Sequence, residues 1–337
     1  MKKVFSRINL RDRNSFHVDQ QAAQLIEFDS AEDLQTIFQA GEPPHWMVLS
    51  GGNNILFTRD YEGVLLTPVA CGIEILKQSE EQVHIRVEAG LEWDDLVAWS
   101  VNEGLWGLEN LSLIPGKVGA APVQNIGAYG AEAKDCLVAV EYFSVEERAL
   151  RRILKQECRF GYRESIFKQE LKGRVIITAV EFSLSRTPQP NIGYGDVQRE
   201  VEARGGVSLH NIREAICAIR RSKLPDTALL GNAGSFFKNP VVDRSVAEQL
   251  KAAHPDMPLY PSAEGPERMK LAAGWLIDRA GLKGYREGRV GVHEKQALVL
   301  VNYGGASGGE VLALARKVQQ CVRERFGIEI DTEVNIW

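Results

Sequence analysis

The chain reads as a mixed α/β or α+β protein of two or three domains, on three observations. Strand-like and helix-like hydrophobic patterns alternate along it, with no internal repeat and no low-complexity tract. Its 337 residues exceed what one hydrophobic core usually organises. Two glycine-bearing segments, Ser50–Asn54 and Leu108–Glu132, interrupt the regular patterns.

The elements follow in order. Ala31–Ala40 has a short helical pattern, and Trp46–Leu49 reads as a strand running into the turn Ser50-Gly-Gly-Asn-Asn54 and the apolar Ile55–Phe57. Val64–Thr67 is a short strand that Pro68 should end or confine to an edge. In Gln82–Val87, the alternation of Val83, Ile85 and Val87 marks a clearer strand. Trp93–Asn102 is a helix leading into the long glycine loop. Cys136–Val145 and Arg174–Leu184 are strand-like, with a helical segment expected between them. Pro188–Gly206 is charged and contains Gly193-Tyr194-Gly195-Asp196, an exposed turn. Ile212, Ala215, Ile216 and Ile219 form the apolar stripe of a helix over Ser208–Arg221. It ends at Leu224-Pro225, where a domain boundary is expected. Lys270–Ala280 follows as a helix closed by Gly281, then a strand at Gln296–Asn302, a long helix at Gly309–Phe326 and a final strand at Glu329–Ile336.

Composition excludes several classes. A net charge of −5 argues against nucleic-acid binding, which normally shows a basic excess. The five cysteines are widely spaced, odd in number and without a C-x-x-C pair, so neither a disulfide framework nor a zinc site is indicated. No metal constellation is visible. The N-terminal MKKVFSRINLRDRNSF lacks the apolar segment of a signal peptide, and no run approaches membrane-spanning length. A cytoplasmic protein is expected, with no membrane insertion and no obligate protein partner.

The segment LENLSLIPGKVGAAPVQNIGAYGAE (108–132) is the most informative. Glycines at 116, 119, 127 and 130 permit positive φ and close backbone approach, while Pro115 and Pro122 stiffen the chain between them. Such a loop can present successive backbone N–H groups to an anion. It matches neither the G-x-G-x-x-G nor the P-loop fingerprint, and a plain structural turn is the competing reading.

Three polar clusters are candidates for chemistry. CRFGYRESIFK (158–168) spaces two arginines four apart, as on one helical face. GNAGSFFKNP (231–240) holds a serine between glycine and aromatics without the order of a nucleophile elbow. That order occurs at Gly305–Gly309, where no histidine follows and a turn is expected. The terminal EIDTEV (329–334) alternates carboxylates with other residues.

Six segments then fall in the order of one family: IPGKVGAAPVQNIGAYGAE, CRFGYRESIFK, KLPD, GNAGSFFKNP, KLAAGWLID and HEKQALVLVN. From about Asn14 onward the chain resembles the UDP-N-acetylenolpyruvoylglucosamine reductases, flavoenzymes that make UDP-N-acetylmuramate for bacterial peptidoglycan. Gly193-Tyr194-Gly195-Asp196 looks like the tyrosine loop of the family's type I branch.

The resemblance implies an α+β fold of three domains. Residues 1–70 and 71–225 would form an FAD-binding unit of the PCMH/vanillyl-alcohol-oxidase kind, and 226–326 a domain binding the nucleotide sugar. Residues 327–337 would pack back near the active site. FAD, non-covalently bound, would contact Gly51, Gly52, Asn53, Asn54, Pro115, Gly116, Gly119, Ala120, Ala121, Gln124, Asn125, Ile126 and Gly127. Asn53 departs from the serine usual in the family's G-x-G-S-N. Arg163 would polarise the substrate carboxylate, Ser235 would donate a proton to the carbanion, and Glu333 would hydrogen-bond the developing enolate or orient the acid. Tyr129, Tyr194, Lys223 and Asn239 would contact the nucleotide sugar. NADPH would be the hydride source. Two other readings stay open, an alcohol or sugar oxidase on the same flavin fold and a non-catalytic nucleotide-sugar sensor. No histidine or cysteine lies in the flavin-loop motifs to attach a flavin covalently, as many such oxidases do.

Overall fold

The computed structural model describes residues 2–39, 41–43, 45–262 and 264–337, so Ala40, the expected last residue of the first helix, lies outside the described residues. The chain forms two compact units, one of Met1–Ile8, Ala22–Gly51 and Glu62–Ser222, the other of Asn9–Gln21, Gly52–Tyr61 and Lys223–Trp337.

The first unit holds two larger sheets and the two-stranded pair Gly127–Ala128 and Ala131–Glu132. A four-stranded sheet has the order Lys3–Asn9, Gln21–Phe28, Tyr61–Pro68, Trp46–Val48, with Trp46 paired in parallel to Val64. Pro68 is the last residue of its strand, the position its missing N–H allows. The helix Ala31–Gln39 buries Leu34, Ile37 and Phe38, spaced three and four apart. They pack with Ile26, Phe28 and Leu66 of this sheet and with Phe143, Val145 and Ile176 from the region of the second.

That second sheet is antiparallel throughout, in the order Ala149–Leu154, Leu137–Ser144, Val175–Ser185, Gln82–Glu88, Ile73–Gln78. Val83, Ile85 and Val87 point to one buried face, as their alternation requires, against Trp93, Leu96 and Val97 of the helix Trp93–Asn102. The helix expected before residue 174 is absent. A hairpin, turning at Arg148 (φ 52°), adds the edge strand Ala149–Leu154, and only the short 3₁₀ turns Lys155–Cys158 and Ile166–Lys168 follow. Cross-strand bonds hold that mostly exposed strand, with Arg152 Nη2 donating to Glu181 at 2.7 Å, so a helical pattern is not needed to place it. The helix Leu209–Lys223 buries Leu209, Ile212, Ala215, Ile216 and Ile219 against Val101, Trp106, Val197 and Val201.

The second unit is built on an antiparallel sheet, Gly231–Ser235, Val299–Asn302, Val290–Val292, Arg286–Glu287, with a smaller sheet of Val241–Asp243, Arg268–Leu271 and Leu259–Pro261. Two expectations change here. Arg268–Leu271 is a strand, and the helix begins only at Ala273. The terminal strand shrinks to Asn335–Ile336, which pairs in parallel with Ile55–Leu56. The long helix Gly308–Phe326 starts at a capping box of Ser307 and Glu310 and stops at Gly327 (φ 68°). The G-x-S-x-G order at 305–309 is therefore a helix cap.

Gly308 has a steric reason to be glycine, because a Cβ there would overlap the Phe57 carbonyl. Gly308→Ala forces the first helical turn off that backbone, an overpacking cost of about 1–3 kcal/mol. Thermal unfolding should show Tm lowered by several degrees. A Tm equal to or above that of the parent would contradict this packing.

Candidate active site

In the first unit, Arg163 sits on a tight hairpin. Gly161 and Glu164 exchange backbone bonds at 2.9 and 3.3 Å, and Arg163 takes the left-handed φ of 55°. Arg159 is left-handed too (φ 48°), so the two arginines do not share a helical face. Three links tie this hairpin to the glycine-rich loop. Arg163 Nη2 donates to Gly127 O at 2.8 Å, Asn125 Nδ2 to Gly161 O at 3.1 Å, and Ser165 Oγ to Val123 O at 2.5 Å. Lys168 Nζ donates to the Arg163 carbonyl at 3.0 Å.

The loop is more closed than an anion nest. The N–H groups of Val118, Gly119, Ala120, Ala121, Val123, Asn125 and Ile126 all donate to carbonyls of the loop itself or of Leu91 and Ala89. Gly119 also lies against Ala89, with no room for a Cβ. Asn125 is fully buried, and its carboxamide is used within the protein. The N–H groups of Gly116 (φ 116°) and Lys117 meet no acceptor among the described residues.

The turn at 50–54 is different. The N–H groups of Ser50, Gly51, Gly52 and Asn53 find no acceptor among the described residues, and Ser50 Oγ is buried without a partner. Gly52 (φ 66°) admits no side chain, since a Cβ would overlap the Arg13 carbonyl. Successive open amides beside a buried, unpartnered hydroxyl are what an anion would satisfy.

Tyr129 and Tyr194 meet edge to face with ring centroids 6.1 Å apart. Burial pushes the Tyr129 phenol up, with the Arg220 guanidinium acting against that. Burial lowers Arg220 itself, and its Nε donates to Leu113 O at 3.2 Å. Asp94 accepts a bidentate pair of bonds from Arg213 at 2.7 and 2.9 Å and the Leu113 N–H at 2.5 Å. Asp94, at the start of one helix, thus fixes the residues entering the glycine loop to the helix 209–223. Lys223 is the exposed last residue of that helix.

In the second unit the chain brings Phe236, the residue after Ser235, beside Glu333. Asn232 and Gly234 (φ 67°) form an irregularity in the strand pairing, with Asn232 Oδ1 accepting the Gly234 N–H at 2.9 Å. The buried Phe236 and Phe237 anchor the next residues. Glu333 N–H donates to Phe236 O and Lys238 N–H to Asp331 O, each at 2.8 Å, so the C-terminal segment lies antiparallel to 236–238. Asn54 Nδ2 reaches Glu333 O at 3.4 Å, and Asn335 N–H and Nδ2 both donate to Asn54 O. Asn239 Oδ1 accepts the Ala273 N–H at 3.0 Å. Burial lowers the His293 imidazole, and its Nδ1 accepts the Lys295 N–H at 3.4 Å, a structural role. Among the described residues no cluster of potential metal ligands occurs, and no helix is long and apolar enough to cross a membrane.

Residues 225–337 match the C-terminal domain of UDP-N-acetylenolpyruvoylglucosamine reductase, and residues 22–150 match an FAD binding domain. The chain is 48% identical to the UDP-N-acetylenolpyruvoylglucosamine reductase of Chromobacterium violaceum over 334 residues, 97% of this chain and 96% of that one. The chain belongs to the UDP-N-acetylenolpyruvoylglucosamine reductase family. The Pseudomonas aeruginosa reductase is likewise 48% identical, over 98% of this chain and 97% of its own. The crystal structure of the Thermus caldophilus reductase superposes with a TM-score of 0.71 at 26% identity, covering 100% of both chains. The mixed α+β fold is that of this reductase family, and the oxidase and sensor readings give way to it.

Sequence reasoning passed over Asp94, Asn110, Ser165 and Arg213. Each acts on backbone atoms or on a charge remote in sequence, so no local spacing announces it. Burial alone would raise the Asp94 carboxyl, but Arg213 and the Leu113 N–H hold it below its usual 3.8. A depressed folded-state value adds stability above the unfolded one and loses it as pH falls. Asp94→Asn should cost about 1.5–3 kcal/mol at neutral pH. The gap to the parent protein in thermal or denaturant unfolding should narrow as pH drops below 3.8. A gap that is constant or widens in acid would remove Asp94 from this role.

Proposed function

We infer that this protein is an FAD-dependent, NADPH-using reductase acting in the cytoplasm. It converts UDP-N-acetylenolpyruvoylglucosamine to UDP-N-acetylmuramate for peptidoglycan precursors. The observation that carries the reading is the 48% identity to a reductase of that name across 97% of the chain.

The residues fit the cofactor. The open amides of 50–53, the unpartnered Ser50 Oγ and the amides of Gly116 and Lys117 suit a flavin diphosphate, and Asn53 retains a hydrogen-bonding side chain. FAD held there would supply the hydride transfer that links NADPH to the enolpyruvyl group. Arg163 presents a planar fork whose orientation the Gly127 carbonyl fixes, and a planar fork suits a carboxylate. A cation fixed there stabilises charge that spreads into the carboxylate more in the transition state than in the ground state. Ser235 gives its proton to the carbon next to that carboxylate. A serine hydroxyl is a weak acid and needs a polar neighbour, and the backbone pairing of Glu333 to Phe236 supports Glu333 as part of that setting. Lys223 serves the diphosphate, and Tyr129, Tyr194 and Asn239 the rest of the nucleotide sugar. The division into flavin domains 1–70 and 71–225 draws support from the two larger, separate sheets of the first unit. The pairing of Asn335–Ile336 with Ile55–Leu56 supports a return of residues 327–337 toward the flavin turn.

Two measurements test this reading. Acid or heat should release the whole yellow chromophore as free FAD, and flavin left on the denatured chain would refute non-covalent binding. In Ser235→Ala, anaerobic NADPH should bleach the flavin at close to the normal rate. Reoxidation by UDP-N-acetylenolpyruvoylglucosamine should slow by about a hundred- to ten-thousandfold, the range of a general acid. Equal slowing of both halves would make Ser235 a positioning group and leave the proton donor to be sought elsewhere.

A further inference from the structure

Asn110 is a buried asparagine, 2% exposed, on the 3₁₀ turn Glu109–Leu111. Its Nδ2 donates to two carbonyls far apart in sequence, Tyr129 O and Asn191 O, each at 2.7 Å. Two acceptor oxygens facing one atom require that atom to be the amide nitrogen. The Asn191 side chain returns a bond, Nδ2 to Gly130 O at 2.9 Å. Ile192 and Tyr129 pack together on the cluster around Val197 and Ile212.

These contacts join two segments that carry the proposed nucleotide-sugar tyrosines. Tyr129 lies in a left-handed turn (φ 48°), and Tyr194 lies 56% exposed on an irregular stretch before the helix Val197–Glu202. The stretch 187–193 belongs to no helix or strand, so the Asn110 and Asn191 bonds do the fixing that a regular element would do. The turn under Asn110 is itself rigid. Glu109 accepts the Gly107 N–H at 2.6 Å, Ser112 Oγ donates to Glu109 O at 2.6 Å, and Trp93 Nε1 donates to Leu111 O at 2.9 Å.

We propose that Asn110 is a positioning residue for the nucleotide-sugar substrate, latching the Tyr194 loop to the Tyr129 turn so that the two rings form one preset contact surface. It touches no substrate and acts through Tyr194. The proposal rests on the reading of Tyr194 as a substrate contact. Without the latch only a fraction of molecules hold the loop in place, and apparent affinity falls by that fraction.

Steady-state kinetics of the FAD-loaded enzyme test it. Asn110→Ala should raise KM for UDP-N-acetylenolpyruvoylglucosamine about tenfold while kcat changes by no more than about threefold, the pattern of lost uniform binding. Asn191→Ala, at an exposed position, should raise KM in the same direction and carries the test if Asn110→Ala yields no folded protein. In a Tyr194→Ala background neither asparagine change should add its full effect, because the latch then holds nothing. Full additivity in that background means a general structural role and overturns the latch. If Tyr194→Ala raises KM but both asparagine variants leave it unchanged, the latch alone falls. If Tyr194→Ala itself leaves KM unchanged, the tyrosine reading fails and the latch with it.

Discussion

The buried carboxamide of Asn125 is the bond on which the setting of Arg163 depends. The glycine-rich loop and the arginine hairpin are both irregular, so no ladder of backbone bonds joins them. Asn125 closes that gap, donating to Gly161 O and Glu132 Oε2 at 3.1 Å and accepting the Lys134 N–H at 3.0 Å. Each bond adds only about 1 kcal/mol net, but losing it strands buried polar groups at a cost of about 1–3 kcal/mol. Arg163 is also part of its own support. Its guanidinium bonds Gly127 O, and a Cβ on Gly127 would come within 3.2 Å of its Nη1. The bare backbone at 127 is thus the other half of the arginine's placement. The Ala131 carbonyl and Glu132 Cγ would be closer still to such a Cβ, each at 3.0 Å, so the returning strand and the cation together keep residue 127 bare.

The second unit solves the matching problem by strand exchange along the chain. Ser235 lies on an edge strand and Glu333 almost a hundred residues later. What joins them is the extended C-terminal segment, which alternates buried Ile328, Ile330 and Val334 with exposed Glu329 and Asp331. The apolar residues hold the segment down, and the backbone bonds to Phe236 and Lys238 set its register. A one-residue slip would carry Glu333 to the buried side, so the same pattern that fixes the segment fixes the acid. Gly234, at φ 67°, then allows the local irregularity that ends with Ser235.

Much of this was legible in the residues. The helices 31–39, 93–102 and 308–326 follow from apolar periodicity, and the strand 82–88 from strict alternation. The misses share a cause. Ala149–Leu154 is an exposed edge strand that hairpin pairing supports, and Arg268–Leu271 is short and half-buried, so neither shows a period. Within the site, Ser235 and Glu333 stand in recognisable peptides, but Asn110, Asp94 and Ser165 work on carbonyls and amides that only the folded chain brings near. The anion-nest reading of residues 115–127 fell short for a related reason. Glycine permits open amides but does not keep them open, and here the loop folds back onto its own carbonyls.

Four of the eight non-glycine residues with positive φ among the described residues are Leu113, Asn125 and Tyr129 of the glycine-rich loop and Arg163 of the hairpin. All four hold left-handed φ angles, between 45° and 59°. Asparagine tolerates that region, but leucine, tyrosine and arginine do so at roughly 1–3 kcal/mol each. Such conformations persist only where the surroundings over-determine them. Each of these residues is so constrained. Leu113 is held through its N–H by Asp94 and through its carbonyl by Arg220. Tyr129 is held through its carbonyl by Asn110. Arg163 is held through its carbonyl by Lys168 and through its side chain by Gly127. Glycine at any of them would relieve the strain and lose the side chain. The chain instead keeps the side chain and holds the backbone from outside.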